Sequence, residues 1–209
     1  MTTDLIRFRA LLDRRYWIFD LDGTITKPVH DFVAIRKALG VPEATGILEY
    51  IASQPEPEKT SLNRKLSSIE RNLAEQAEPT PGVLKLLHQL SEQGRVLAIL
   101  TRNQRECVDI SLQRLGVRQL FADAAIIACE DAAPKPDPEG VKKLLNSWQT
   151  SPDNCLIVGD FLYDLQAGAE SAIATVHYGA DRPERWPELT DAVVEDFTVL
   201  TRMLSDSPG

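Results

Sequence analysis

Long apolar runs, a basic surplus and paired cysteines are all missing from this chain. No stretch approaches the roughly 18 apolar residues that a membrane helix needs, so a membrane partner is not expected. The N-terminal "MTTDLIRFRALLDRRYW" has no uninterrupted apolar core of the kind a signal peptide carries. It reads as an amphipathic helix with Leu5, Phe8, Leu11 and Leu12 on one face, and Asp4 and Asp13 set it apart from an acid-poor transit peptide. Its 23 Lys and Arg fall short of its 31 Asp and Glu, leaving a net charge of −8. With no positive surplus to neutralise a phosphate backbone, nucleic acid is excluded as a partner. An acidic protein can still hold one small phosphate where a metal ion and a few donors focus positive charge. The three cysteines, Cys107, Cys129 and Cys155, are widely spaced and odd in number. They read as reduced thiols, buried where they lie in or beside apolar runs. Internal repeats and low-complexity tracts are absent as well. These absences together predict a cytoplasmic protein, a monomer or homodimer.

What is present is ordinary globular composition, 43% hydrophobic over 209 residues, which suits one domain carrying a smaller insertion. Short apolar runs recur at "YWIF" (16–19), "VLAIL" (96–100), "AIIA" (125–128), "CLIV" (155–158) and "ATVH" (174–177). Runs of this kind suit strands buried on both faces, as in a parallel sheet. Helical patterns lie between them. In "TPGVLKLLHQLSEQG", Thr80 reads as the cap, Pro81 as the first turn and Gly94 as the stop, around a stripe of Val83, Leu86, Leu87 and Leu90. A second pattern spans about Gln104 to Leu115, stopped by Gly116. Alternating strands and helices predict a doubly wound, Rossmann-like α/β fold of about five parallel strands.

One stretch breaks the alternation. From about Lys27 to Pro79 the chain is polar and helical, in three segments: "HDFVAIRKALG", "GILEYIAS" and "EKTSLNRKLSSIERNLAEQ". The expected division is therefore a core of residues 1–26 and 80–209 with a small all-helical cap at 27–79. The terminal "SDSPG" reads as frayed.

In open α/β sheets, ligands collect beyond the carboxyl ends of the strands. After the first strand come Asp20, Asp22, Gly23 and Thr24; after the second, Thr101, Arg102 and Asn103. Lys135 follows the third, in "AAPKPDP", and Asp160 and Asp164 follow the fourth, in "VGDFLYD". Pro136 biases Lys135 toward an extended backbone, and Asp137 and Pro138 read as the cap and first turn of the next helix. If the first, second and fourth strands are neighbours, their terminal groups converge. Burying two aspartates one residue apart costs several kcal/mol unless something compensates.

In this order, "DLDGT", "LTRN", "KPDP" and "GDFLYD" resemble the four motifs of the haloacid dehalogenase superfamily, over about residues 16–200. The layout is most similar to phosphoglycolate-phosphatase-like members with a small helical cap after the first motif. The resemblance implies an Mg²⁺-dependent phosphatase acting on a small phosphorylated metabolite, phosphoglycolate-like or a sugar phosphate. It implies Asp20 as nucleophile, Asp22 as general acid and then base, Thr101 as a phosphoryl ligand and Lys135 as charge stabiliser. Mg²⁺ would be held by Asp20, the Asp22 carbonyl and Asp160, with Asp164 in support. Gly23, Thr24, Arg102 and Asn103 are the expected substrate-binding residues, Gly23 by letting backbone N–H groups approach the phosphate. Phe161 stands where relatives often carry Ser or Thr. A phosphomutase of the same superfamily and a non-catalytic phosphoacceptor module are the competing readings. For a second anionic group on the substrate, the cap offers Lys27, His30, Arg36, Arg64, Lys65 and Arg71.

Overall fold

A computed structural model describes residues 3–28, 32–43, 45–179 and 185–205. His30 and residues 206–209 of the "SDSPG" tail lie outside the described residues, as does the side chain of Leu5. The chain runs α1 (Thr3–Leu12), β1 (Tyr16–Phe19), α2 (Phe32–Leu39), α3 (Ile47–Ser53), α4 (Glu58–Ala74), α5 (Val83–Glu92), β2 (Val96–Leu100) and α6 (Arg105–Arg114). It continues through β3 (Ile126–Ile127), α7 (Glu139–Trp148), β4 (Cys155–Gly159), α8 (Leu162–Glu170), β5 (Ala174–Tyr178), β6 (Ala192–Val194) and α9 (Phe197–Ser205).

The strands form one parallel sheet in the order β3-β2-β1-β4-β5-β6. Six strands stand where the apolar runs predict five. The additional one, "AVV", is an edge strand of three residues with Val193 exposed, too short to show a period. Alternation within β1 explains why its whole sequence is apolar. Trp17 and Phe19 point into one core, with Leu86, Leu90, Val108 and Phe197 from helices α5, α6 and α9. Ile18 points into the other, with Val141, Leu144 and Ala167 from α7 and α8.

Helix α5 begins later than its sequence pattern suggests. Gly82, at φ 79°, caps it, and the helix starts at Val83. Thr80 has another use: its hydroxyl donates to the carbonyls of Thr24 (2.5 Å) and Ile25 (3.3 Å), which fastens this segment to the loop after β1. The α5 stripe itself is as expected, with Val83, Leu86, Leu87 and Leu90 fully buried. Leu86→Ala should cost about 2–5 kcal/mol of stability, through lost transfer energy and a cavity. Urea unfolding should show a lower midpoint with an unchanged m value.

Helices α2, α3 and α4 gather around an apolar cluster of their own, Ile35, Leu39, Val41, Ile51, Leu62 and Leu66. The chain leaves β1 for these helices and returns along adjacent backbone. Thr26 bridges Pro79, and the Lys27 N–H donates to the Glu78 carbonyl at 2.8 Å. Among the described residues no helix is long and apolar enough to cross a membrane.

Candidate active site

Strand β1 hydrogen-bonds to β2 on one side and β4 on the other, so three carboxyl ends open at one place. A cavity of about 680 Å³ lies there, lined by Asp20, Asp22, Thr101, Arg102, Asn103, Lys135, Asp160 and Asp164. Its far wall comes from α2, α3, α4 and the turn before α3, including Ile35, Ile47, Leu48 and Leu66.

The buried Lys135 ammonium sits between two carboxylates, donating to Asp20 Oδ1 at 2.6 Å and Asp164 Oδ1 at 2.5 Å. The other Asp164 oxygen accepts the Phe161 N–H at 3.1 Å and so fixes the start of α8. Gly159 permits this close fit, since a Cβ there would lie 2.2 Å from the Asp164 Cβ. Carboxylate oxygens of Asp20, Asp160 and Asp164 all lie within 4.8 Å of one another. Burial pushes the Asp20 carboxyl well up; Lys135 opposes that, and the charges of Asp164 and Asp160 add to it. Burial also works against the Lys135 ammonium, but Asp164 and Asp20 outweigh it and hold the amine well above its usual value. One ammonium thus faces three buried carboxylates, and the donor set is all oxygen. Such a set fits a small hard cation, and a cation would relieve the crowding that a single lysine leaves.

Asp22 is held differently. Its Oδ2 accepts the Asn103 side-chain N–H at 2.5 Å, and its Oδ1 accepts the Thr26 hydroxyl at 3.2 Å. Asn103, expected from the sequence to bind substrate, lines the cavity and gives one side-chain N–H to Asp22. The Asn103 backbone N–H donates to the Thr101 hydroxyl at 3.2 Å, and Thr101 is buried at the cavity wall.

Gly23 and Thr24 are not among the lining residues. The Gly23 N–H, expected to face a phosphate, donates to the Thr26 carbonyl at 2.8 Å. At φ 85°, Gly23 lies so close to Asp160 that a Cβ would come 2.3 Å from its Oδ2; its hydrogen makes room for that carboxylate. Thr24 is fully buried beneath the site and accepts the Thr80 hydroxyl on its carbonyl. His177 is also buried, its Nε2 3.3 Å from the Asp160 carbonyl.

Of the basic residues expected to meet a second anion, Arg36 is the one that lines the cavity among those described. Its guanidinium donates to the carbonyls of Thr45 and Pro42, within its own wall. Lys27 pairs with Glu78, and Arg71 with Glu106 and Glu75. Arg64 and Lys65 lie outside the lining. Arg102 is in the cavity, 4.0 Å from Glu49 and over the Tyr163 ring.

Sequence reading missed Glu49, Glu70 and Tyr163 in the lining. Phe161 packs edge-on to Tyr163 and Trp186 at the same wall. For Glu70 a signal existed. Positions 62, 66, 70 and 74 form one i, i+4 row of α4, and Leu62, Leu66 and Ala74 in it are buried. A glutamate in an otherwise apolar row is out of pattern.

A model of the Haloacid dehalogenase-like hydrolase family matches residues 33–178. An uncharacterised hydrolase of Saccharomyces cerevisiae is 26% identical over 196 residues, 90% of each chain. The N-acetylmuramic acid 6-phosphate phosphatase of Pseudomonas aeruginosa is 26% identical over 219 residues, covering 90% of this chain and 96% of that one. Among solved structures, a predicted phosphoglycolate phosphatase from Haemophilus somnus superposes with a TM-score of 0.73 at 22% identity, over 91% of this chain and 98% of its own.

Proposed function

This chain belongs to the haloacid dehalogenase-like hydrolases, and we propose that it hydrolyses small-molecule phosphate monoesters, with Mg²⁺, through an aspartyl phosphate on Asp20. The observation that carries this is the division of the four aspartates. Asp20, Asp160 and Asp164 converge around Lys135, while Asp22 stands apart in the same cavity, held by Asn103 and Thr26. Relatives named as phosphatases, including the Pseudomonas enzyme, support a phosphate ester as substrate.

The Asp20 oxygen turned away from Lys135 attacks phosphorus, and the ester P–O bond breaks toward the leaving group. Asp22 gives its proton to the departing oxygen. In the second half, Asp22 takes a proton from water, the water oxygen attacks the aspartyl phosphate, and the P–O bond to Asp20 breaks to release inorganic phosphate. Lys135 holds charge on Asp20 and the phosphoryl oxygens, and Thr101 supplies a hydroxyl to those oxygens. The side chains of Asp20 and Asp160 and the Asp22 carbonyl would hold Mg²⁺, with Asp164 orienting Lys135 beside them. When bound, the ion offsets the repulsion between the phosphate dianion and the carboxylates. Residues 27–79 act as the cap over the core of 1–26 and 80–209, closing the cavity and contacting the leaving group.

Chelation tests the metal. EDTA should abolish turnover of p-nitrophenyl phosphate and added Mg²⁺ should restore it, while Ca²⁺, which favours more ligands in looser geometry, should inhibit. Full activity in EDTA would exclude the metal from the reaction.

A further inference from the structure

We propose that Glu70 selects the leaving group: it accepts a hydrogen bond from a hydroxyl two carbons from the ester oxygen and repels a carboxylate in that place. The inference rests on the phosphatase reading and narrows its substrate class to hydroxylated, polyol- or sugar-like phosphates, against phosphoglycolate-like ones.

The side chain belongs to α4, in the row otherwise filled by Leu62, Leu66 and Ala74. A carboxylate there gains nothing from packing, and it has no hydrogen bond or ion pair among the described residues. It lines the main cavity together with Asp22 and Asn103. It also lines a small polar recess behind them with Thr26 and Ser111. In the phosphatase reading Asp22 protonates the leaving oxygen, so a leaving group that reaches Asp22 also meets the lining that Glu70 helps to form. Among the described residues, each cation of the lining has a contact elsewhere. Lys135 is committed to Asp20 and Asp164, Arg36 to backbone carbonyls, and Arg102 lies against Glu49 and Tyr163. Burial, with the charges of Asp22 and Glu130, pushes the Glu70 carboxyl up to about 7. Such a group lacks a donor, and a substrate hydroxyl supplies one. A second carboxylate in the same place would add like charge beside Glu70 and Asp22.

Three esters isolate the effect: 2-hydroxyethyl phosphate, ethyl phosphate and 2-phosphoglycolate, which carry a hydroxymethyl, a methyl and a carboxylate group on the carbon that bears the ester oxygen. Their kcat/KM values would be measured at pH 8, where Glu70 is mostly ionised, each normalised to p-nitrophenyl phosphate. The wild type should favour the hydroxyl over the methyl at least tenfold, with the carboxylate last. Glu70→Leu should erase the hydroxyl's advantage and lift the relative rate on 2-phosphoglycolate at least tenfold. Glu70→Gln, nearly isosteric, should relieve the carboxylate penalty while keeping part of the hydroxyl preference, and it covers the case in which the leucine variant fails to fold. A wild type that prefers 2-phosphoglycolate, or variants that slow all three esters alike, would overturn the assignment while leaving the phosphatase reading intact. A wild type that does not hydrolyse p-nitrophenyl phosphate with Mg²⁺ would overturn both.

Discussion

Asp20→Asn should stop turnover of every ester, whereas Asp22→Asn should stop it only where the leaving group needs a proton. The two side chains sit in different surroundings. Asp20 Oδ1 is fixed by Lys135 at 2.6 Å, and the residue is buried among Asp160 and Asp164. Asp22 is tied to Asn103 and Thr26, outside that cluster. An amide at position 20 keeps the shape and removes the nucleophile. At position 22 it removes a proton donor worth about 10²–10⁴-fold, or roughly 3–5 kcal/mol of barrier, for an alkoxide leaving group. Nitrophenolate leaves unaided, so its first step should survive, while the aspartyl phosphate waits for a base that is gone. Rapid quench of Asp22→Asn with p-nitrophenyl phosphate should show a burst of nitrophenol and then slow turnover; alkyl phosphates should show neither. Loss of the burst in both variants would mean that Asp22 does more than move protons.

Lys135→Met should damage activity and stability together, and the two losses should be separable. Activity should fall by about 10²–10³-fold, the range for losing one preorganised electrostatic group. Stability should fall by about 3–5 kcal/mol, because Asp20 and Asp164 are then left buried side by side with no cation between them. Methionine fills much the same volume, so packing accounts for little of the loss. Adding Asp164→Asn removes one of the two stranded charges. The double variant should regain much of the stability in urea unfolding and none of the turnover, since its nucleophile still lacks a positive neighbour. Recovery of both, or of neither, would show that charge at Lys135 is not the common cause.

Much of this arrangement was legible because burial on both faces leaves a plain mark. Strands β1, β2 and β4 are uninterrupted apolar runs, and the polar residues just past them are the ones that meet in the cavity. Lys135 shows what local reading lacks. Alone it looks like a solvated lysine, and its burial follows only from how the sheet orders β1, β3 and β4. Gly23, Thr24 and Asn103 read as substrate-binding from the sequence, yet the Gly23 N–H, the Thr24 carbonyl and one Asn103 side-chain N–H bond to neighbours that are distant in sequence or a turn away. The α5 start was misread for a similar reason: Thr80 suits a helix cap, but the Thr24 and Ile25 carbonyls 55 residues earlier claim its hydroxyl. Strand β6 left no mark because three residues are too few to show a period.

The position of β1 has a consequence for the chain as it is made. The strand of this sheet that is made first lies in its middle, and its two partners, β2 and β4, begin some 80 and 140 residues later. A nascent chain that has reached α7 can pair β1 with β2 and β2 with β3, but the opposite side of β1 is still open. That open side is a row of unpaired backbone groups flanked by Trp17, Ile18 and Phe19, the kind of edge that recruits other chains. Until Asp160 and Asp164 follow, Asp20 and Asp22 remain in water, where their charges cost little. Synthesis of β4 thus closes the exposed edge and desolvates the acids in one event, after Lys135 has already emerged to meet them.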